Sequence, residues 1–242
     1  MDRMIYTAMT GAKAMMQRQE TLTHNLANAT STGFRAELVA FRAVPVNGSG
    51  ASTRVMTLES TTGYDAKPGP MRSTGNPLDV GLAGNAWLAV QSLQGTEAYT
   101  RAGSLAVNAE GTLMTHNGLP VQGDGGPIVV PGGAQPRISP DGTVLAVSAN
   151  GQATRVGKLK LVTPEAPLQR GEDGLFRAAD GADLPADERA RVLPETLEGS
   201  NVSTVETMVA MIAAAREFDT HIRLLQTAER NDQTAARLLG PA

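Results

Sequence analysis

The sequence predicts an α+β protein in which helices at both ends of the chain flank a central antiparallel β domain. Of the 26 glycines, 20 lie between Gly63 and Gly181, whereas the two ends are rich in Ala, Met, Leu, Gln and Arg, which favour helices. Asn-Gly and Asp-Gly dipeptides recur through the middle of the chain and are typical of hairpin turns. We therefore divide the 242 residues into an N-terminal helix with the segment after it (1–45), an extended or mobile connector (46–71), the β domain (72–194) and a C-terminal helix (195–242).

Both terminal helices carry apolar residues at alternating steps of four and three positions, which is the spacing of a heptad seam. The N-terminal seam runs through Met1, Ile5, Ala8, Ala12, Met15, Gln19, Leu22 and Leu26. The C-terminal seam is slightly irregular and runs through Val205, Met208, Ile212, Ala215, Phe218, Ile222 and Leu225. Two such helices at opposite ends of one chain predict a discontinuous, coiled-coil-like core, with amphipathic helices packed on their own domain as the alternative.

Local signals indicate where several elements begin or turn. Ser203, followed three residues later by Glu206, is typical of a capping box at the start of the C-terminal helix. Residues 76–80 predict a turn leading into a strand, in which Asp79 can bond to nearby backbone amides. The glycine-rich stretch 123–127 precedes strand-like residues, so we interpret it as a hairpin loop and not as a phosphate-binding loop.

Composition and charge exclude several classes of protein. A net charge of -3 lacks the positive potential expected of a nucleic-acid binder, and the absence of cysteine excludes disulfides and thiolate metal sites. No apolar run reaches the ~18 residues needed to span a bilayer, and the first residues lack a basic stretch followed by an apolar one. We therefore expect no nucleic-acid partner, no direct membrane insertion and no cleaved signal peptide.

The sequence offers no catalytic, cofactor-binding or metal-ligating pattern. Its three histidines, His24, His116 and His221, are far apart, and two of them lie on the predicted terminal helices, away from any nucleophilic or acidic cluster. No zinc-protease, nucleophile-elbow or phosphate-binding motif is present. We therefore expect a protein that is not an enzyme and has no cofactor.

Three separated segments nevertheless resemble one family, the flagellar rod and hook proteins. Residues 25–35 match almost completely the N-terminal pattern N-L-A-N-x-x-T-x-G-F-[KR]. Residues 74–80 and 99–103 match the T-G-N-x-L-D-V and Y-T-R-x-G elements of the central domain of these proteins. Residues 200–218 resemble their C-terminal S-N-V and E-M-x-x-[ML]-I-x-x-x-R-x-[FY] pattern. Within the family, the chain looks most like the proximal-rod members, with the distal-rod members as the alternative.

The resemblance implies a structural subunit of the periplasmic rod of the bacterial flagellar basal body. Such a subunit would assemble with other rod proteins and with copies of itself into a helical tube that transmits motor torque to the hook and continues the export channel. The family leaves the cell unfolded through the flagellar type III export apparatus, which would account for a missing signal peptide. A cell-wall-acting β protein is a less favoured hypothesis, because the chain has no plausible catalytic carboxylate pair and few aromatic residues.

Candidate assembly residues follow from the seams and from the segments that resemble the family. We assign apolar residues of the seams, together with Met9 beside the N-terminal seam, to a helical core that also serves assembly: Met9, Ala12, Met15, Leu22, Leu26, Met208, Ile212, Phe218, Ile222 and Leu225. We assign assembly or helix-end roles to Asn25, Asn28, Gly33, Phe34, Asn201 and Val202. Gly33 is expected to have a positive φ that ends or redirects the N-terminal helix, so that valine there would be harmful and asparagine milder.

Overall fold

The computed structural model describes residues 2–45 and 55–239 and has two long helices and antiparallel sheets, so the predicted α+β class is confirmed. The chain divides into two compact units. The helical unit consists of Met1–Ala29, Ala36–Asp65 and Val202–Ala242, and the β unit consists of Thr30–Arg35 and Ala66–Asn201. Each unit is built from segments that are distant in sequence, because the β unit interrupts the helical one.

The helical unit contains helix α1 (Asp2–Ala27), the hairpin strands β1 (Glu37–Pro45) and β2 (Val55–Tyr64), and helix α2 (Thr204–Leu239). The two helices run antiparallel, because Gly11 of α1 faces His221 of α2 and Arg18 Nη1 lies 3.9 Å from Glu217 Oε2. Their contact is close because it is lined by small residues. The buried ones are Ala8, Ala12 and Ala14 on α1 and Ala214 and Ala228 on α2.

In the first turns of α2, the buried face differs from the predicted seam, whereas the later seam residues Phe218, Ile222 and Leu225 are partly buried. Thr207 and Ala214 are buried, whereas Val205 is 71% exposed, Met208 51% and Ile212 56%. The prediction that Met208 and Ile212 contribute to a helical core is therefore not fulfilled by packing within the single chain. The physical reason is that small side chains, Thr207 and Ala214, occupy the buried face in this part of α2, which leaves Met208 and Ile212 on the outer face.

The contact between Gly11 and His221 gives a testable coupling. A Cβ on Gly11 would lie 2.3 Å from His221 Cε1, so Gly11→Ala gains about 1 kcal/mol of helix propensity but crowds the imidazole ring. We expect Gly11→Ala to leave the helix melting temperature unchanged or lower in the native chain. In a His221→Ala background the same change should stabilise by about 1 kcal/mol, as measured by circular dichroism at 222 nm. An equal effect in both backgrounds would contradict the close packing.

The β1–β2 hairpin occupies part of the segment predicted as an extended or mobile connector. Strand β1 pairs with β2 from Glu37 opposite Tyr64 to Pro45 opposite Val55, with a register shift between Leu38 and Ala40. Residues 46–54 of the predicted connector lie outside the described residues. The hairpin packs on α1. The sequence around residues 55–62 is rich in Thr and other β-branched residues, which favour strands. The prediction of a connector was based instead on its small and polar residues.

The β unit is made of short strands, which form small antiparallel sheets. The strands are β3 (Met71–Ser73), β4 (Val80–Leu82), β5 (Trp87–Gln91), β6 (Glu97–Thr100), β7 (Leu105–Val107), β8 (Leu113–Thr115), β9 (Gln122–Gly123), β10 (Gly126–Pro127), β11 (Gln135–Ile138), β12 (Thr143–Val147), β13 (Ala153–Lys158), β14 (Leu161–Val162), β15 (Gln169–Arg170), β16 (Phe176–Arg177), β17 (Val192–Pro194) and β18 (Thr196–Glu198). The largest sheet has the order β14-β5-β6-β16-β15, and β11-β12-β13 form a second one. An aliphatic core containing Val80, Leu88, Leu113 and Val144 lies between the sheets, as expected from the scarcity of aromatic residues.

The predicted turns of the β unit are confirmed. Gly118, Gly142, Gly151, Gly174 and Gly181, the glycines of the five Asn-Gly and Asp-Gly dipeptides, all have positive φ. Asp124 and Gly125 connect the paired strands β9 and β10, so the stretch 123–127 forms the expected hairpin.

Two further local predictions have different outcomes. The hydroxyl of Ser203 accepts a hydrogen bond from the amide of Glu206 at 3.4 Å and precedes the first residue of α2, as predicted for an N-cap. The prediction for Asp79 was wrong in its partners, because its carboxylate accepts hydrogen bonds from the side chains of Thr74 (2.7 Å) and Asn76 (3.1 Å).

No helix among the described residues is both long enough and apolar enough to cross a membrane.

Candidate functional site

The three sequence segments that resemble one family meet inside the β unit at a buried cluster of charges. We call the cluster of Arg35, Arg101 and Glu198 the motif junction. Arg35 Nη2 lies 2.8 Å from Glu198 Oε1, and Arg101 Nε donates to Glu198 Oε2 at 2.7 Å. All three side chains are at most 2% exposed. One carboxylate therefore links two guanidinium groups that come from opposite parts of the chain.

The burial cost of the Arg101 guanidinium is offset, because its remaining N–H donors form hydrogen bonds with backbone carbonyls. Its Nη1 donates to the carbonyl oxygen of Ala86 at 2.6 Å and to that of Gly84 at 3.1 Å, and its Nη2 donates to that of Leu82 at 2.8 Å. These carbonyls belong to strand β4 and to the turn before β5. Arg101 thus fixes the path of the chain between two strands as well as the position of Glu198.

Glu198 and Arg35 also hold the point where the chain enters and leaves the β unit. The amide of Gly69 donates to Glu198 Oε1 at 3.0 Å, and Arg35 Nη1 donates to the carbonyl oxygen of Lys67. The same Lys67 carbonyl accepts a hydrogen bond from Asn201 Nδ2 at 2.9 Å. The residues just inside the chain crossings at 35–36, 65–66 and 201–202 are therefore bound to one another within the β unit.

Gly33 lies directly against the motif junction. Its φ of +67° confirms the predicted positive value, and its amide donates to the carbonyl oxygen of Glu198 at 2.8 Å. A Cβ there would lie 2.2 Å from the carbonyl carbon of Arg101, so a side chain of any kind collides with backbone. Asparagine tolerates positive φ but meets the same contact, so the expectation that Gly33→Asn is milder than Gly33→Val stays a prediction. Helix α1 has already ended at Ala27, so the glycine serves close packing more than helix termination.

Aromatic and guanidinium groups are stacked beside the junction. Arg170 lies 4.5 Å from the ring of Phe34 and 5.7 Å from that of Phe176, measured from Cζ to the ring centroid. Its Nη1 also donates to the carbonyl oxygen of Arg35 at 3.3 Å. The rings of Phe176 and Trp87 are 4.6 Å apart between centroids. Arg170 of the β15–β16 hairpin therefore holds the phenyl ring of Phe34 by a cation–π contact and the backbone of the next residue, Arg35, by a hydrogen bond.

The β15–β16 hairpin is itself braced by an ion pair. Arg177 Nη2 lies 2.6 Å from Asp173 Oδ2, and this hydrogen bond holds the pKa of the Asp173 carboxyl below its usual value. The pair spans the turn that contains Gly174 and stabilises the hairpin that presents Arg170 to Phe34.

The end of α1 is tied to β1 within the helical unit. Asn25 is buried, its Nδ2 donates to the carbonyl oxygen of Glu37 at 2.9 Å, and its Oδ1 accepts from the amide of Glu37 at 2.8 Å. Asn28 Nδ2 donates to the carbonyl oxygen of His24 at 3.0 Å. Both asparagines thus bind backbone at the helix end. Their predicted assembly role stays a prediction.

The structure divides the remaining predicted residues by their exposure. Phe34 and Ala12 are buried, and Asn201 and Val202 are partly buried. The partly buried helix residues are Met15, Leu22, Leu26, Phe218, Ile222 and Leu225. The exposed ones are Met9, Met208 and Ile212. The predicted residues of the helical unit therefore range from buried to exposed, and their role in assembly stays a prediction.

Sequence reasoning missed the charged residues of the motif junction. Arg35 and Arg101 stand inside the quoted patterns, and Glu198 lies next to the S-N-V element, but none of them was selected as a site residue. A buried carboxylate that pairs with an arginine 97 positions away leaves no periodic pattern in the sequence. The available signal was that each of the three recognised segments contains or adjoins a charged residue.

The site has the character of a structural joint. Its carboxylate is fully engaged by donors, and the described residues contain no group of three His, Cys, Asp or Glu side chains that could hold a metal ion.

Three family models match the chain in regions that overlap the three segments described above. Residues 5–35 match the family model "Flagella basal body rod protein", residues 81–146 match "Flagellar hook protein FlgE/F/G D1 domain", and residues 193–238 match "Flagellar basal body rod FlgEFG protein C-terminal". Each matched region contributes one residue of the motif junction.

Whole-chain relatives point to one member of this family. The chain is 44% identical to the flagellar basal-body rod protein FlgF of Salmonella typhimurium and 45% identical to that of Escherichia coli, with 99% of each chain covered. It is 29% identical to the flagellar basal-body rod protein FlgG of Bacillus subtilis, with 95% of this chain and 96% of the relative covered. The chain belongs to the flagellar basal-body rod protein family, as a FlgF-like member.

Proposed function

We propose that this structural, non-enzymatic subunit of the proximal rod assembles through the outer faces of its two helices. It joins other rod proteins and copies of itself in a helical tube that transmits motor torque to the hook and continues the export channel. The distal-rod alternative is not favoured, because the two FlgF relatives from Salmonella typhimurium and Escherichia coli are 44% and 45% identical, against 29% for the FlgG relative.

One observation carries the proposal, namely where the exposed apolar side chains lie. Among the described residues, ten large apolar side chains are more than half exposed, and eight of them belong to the helical unit. They are Tyr6, Met9, Met16, Leu38, Val205, Met208, Val209 and Ile212. A stripe of such side chains on the outer face of a helix favours burial against a partner at about 25 cal/mol per Å².

The α1–α2 pair supports a coiled-coil-like base for this surface. The inner face of α2 buries Thr207, Ala214 and Ala228, and partly buries Phe218 and Leu225, at steps that are combinations of three and four residues. The outer face is then free to pack against neighbouring subunits. A subunit with two such faces can contact several neighbours along a tube.

The motif junction supports a role in force transmission. A rod subunit must resist twisting where its chain passes between units. Arg35, Glu198 and Asn201 bind the chain just inside these crossings to Lys67 and to one another. We infer that the junction stiffens the base of the β unit during rotation.

Export and localisation follow from the same function. We infer that the chain reaches the periplasmic rod unfolded, through the flagellar type III export apparatus, and without cleavage of a signal peptide. The absence of cysteine supports this route, since no disulfide can form before export is complete.

Charging the outer face of α2 tests the assembly surface. We expect Met208→Asp/Ile212→Asp to abolish motility and rod incorporation, because burial of two unpaired carboxylates in an interface costs several kcal/mol. Both native side chains are more than half exposed in the single chain. The free energy of unfolding of the variant, measured by thermal melting, should therefore change by less than about 1 kcal/mol. Motility is measured by swimming in soft agar after complementation of a strain that lacks its own FlgF.

The matched control adds the same two charges at polar, exposed positions of the same helix. Thr220→Asp/Gln226→Asp should retain swimming and the native melting temperature. Normal motility of the Met208/Ile212 variant would refute the proposed surface, and a loss of fold in that variant would show that these residues serve the single chain.

A further inference from the structure

The outer faces of the two helices carry stripes with the same spacing. The α1 stripe consists of Met9, Lys13, Met16 and Glu20, and the α2 stripe consists of Val205, Val209, Ile212 and Arg216, all of them exposed. In both stripes the steps are four, three and four residues. Such steps place side chains on one face of a helix and are the spacing by which two helices interlock.

The stripes also match in chemistry when they are aligned in parallel. Met9 falls opposite Val205 and Met16 opposite Ile212, while Glu20 falls opposite Arg216. Two apolar pairs therefore face each other, and the single acid at the end of one stripe faces the base at the end of the other. The remaining pair sets Lys13 opposite Val209, where the methylene stem of the lysine can cover the valine while its ammonium group stays in water. An antiparallel alignment would place Glu20 beyond the opposite end of the α2 stripe from Arg216.

The two stripes of one chain cannot reach each other. Both lie on outer faces, because the inner faces are used in the contact between Gly11 and His221. The helices are antiparallel within the chain, so a parallel pairing needs a second molecule. The two stripes also lie at different heights along the helix pair. Met208, beside the centre of the α2 stripe, lies 13 residues before His221 and therefore about 20 Å along α2 from the level of Gly11.

We propose that the α1 stripe of one copy packs in parallel on the α2 stripe of a second copy, with Glu20 next to Arg216. The inference rests on the proposed assembly through the outer helix faces and adds its partner, orientation and register. Because the two stripes are different surfaces at different heights, each added copy leaves one stripe of each kind free. Contacts of this kind continue along an assembly and do not close into a symmetric dimer.

Disulfide trapping tests the register directly, because the native chain contains no cysteine. Two full-length chains, one with Met16→Cys and one with Ile212→Cys, are expressed together in a strain that lacks its own FlgF, and basal bodies are isolated and oxidised. We expect a disulfide-linked dimer of two copies of this chain. Met9→Cys with Val205→Cys should give the same product.

The control pairs use the same four cysteine substitutions but combine them differently. Met16→Cys with Val205→Cys and Met9→Cys with Ile212→Cys are seven residues out of parallel register, about 10 Å, and correspond to the antiparallel alignment. We expect at least tenfold less dimer from them. Equal or greater yield from these pairs, linkage of Met16→Cys to itself, or linkage only to a different rod protein would overturn the proposal.

Charge reversal provides a second test that does not depend on oxidation. We expect E20R and R216E each to reduce the yield of the Met16→Cys/Ile212→Cys dimer about two- to fivefold, and E20R on one chain with R216E on the other to restore it. If the cysteine chains are not incorporated, swimming of the E20R, R216E and E20R/R216E chains gives the same comparison. A double reversal no better than the worse single one would overturn the pairing. Normal incorporation without the predicted disulfide would reject this register and leave the rod function intact.

Discussion

Replacement of Glu198 by Gln will destabilise the β unit by about 3 kcal/mol, because two buried guanidinium groups lose their shared carboxylate. The value is at the lower end of the range for broken buried ion pairs, since Arg101 keeps three carbonyl acceptors. Urea unfolding followed by the fluorescence of Trp87 measures the effect, because this single tryptophan is buried and lies 5.8 Å from the Arg101 guanidinium.

Glu188→Gln is the matched control, since it makes the same chemical change at an exposed position of the β unit. Its free energy of unfolding, measured in the same urea experiment, should change by less than about 0.5 kcal/mol. If both variants unfolded alike, the junction would contribute nothing to stability. We also expect Glu198→Gln to reduce swimming of complemented cells, since the joint at the chain crossings would loosen.

Gly33→Ala will have a comparable effect, about 3 kcal/mol. A methyl group would lie 2.2 Å from the carbonyl carbon of Arg101, and a φ of +67° adds about 1 kcal/mol of backbone strain. The required shift would also break the hydrogen bond from the Gly33 amide to the Glu198 carbonyl. The same fluorescence-detected unfolding measures the loss.

Gly118→Ala separates strain from collision. Gly118 has a φ of +78°, but no atom lies within 4 Å of the position its Cβ would take. We expect a loss of only about 1 kcal/mol there. Equal losses at the two glycines would mean that positive φ alone explains Gly33 and that its contact with the Arg101 backbone is unimportant.

The glycine and helix patterns made much of the fold predictable. Helix-forming ends and Asn-Gly and Asp-Gly turns are local properties, so α1, α2 and five positive-φ glycines could be predicted from short windows of sequence. The segment 46–71 was harder to interpret, because the pairing of β2 with β1 depends on a partner strand that lies before the segment.

Which face of α2 is buried could not be read from hydrophobicity alone. The pattern of Val205, Met208 and Ile212 predicts the face that avoids water, but the face that packs against α1 carries small residues such as Ala214. Hydrophobic periodicity reports all the burial that a helix undergoes, in the chain and in its assemblies. At the start of α2, the larger side chains therefore lie on the face that does not contact α1 and that we assign to a neighbouring subunit.

The motif junction was unpredictable for a different reason. Glu198 pairs with Arg101 across 97 positions, and such a pair has no period and no spacing rule. Recognition of the three segments indicated that they share a family, but not that they share a contact.

The hydrogen bond between Asn201 and the Lys67 carbonyl, at 2.9 Å, has a consequence for how the chain can vary. It brings together the two ends of the 66–201 segment, so this part of the sequence is an insertion whose ends lie next to each other. Insertions of this kind can lengthen, shorten or be exchanged without moving the residues on either side. The 66–201 segment of such a subunit is thus free to change in length while its two ends stay together.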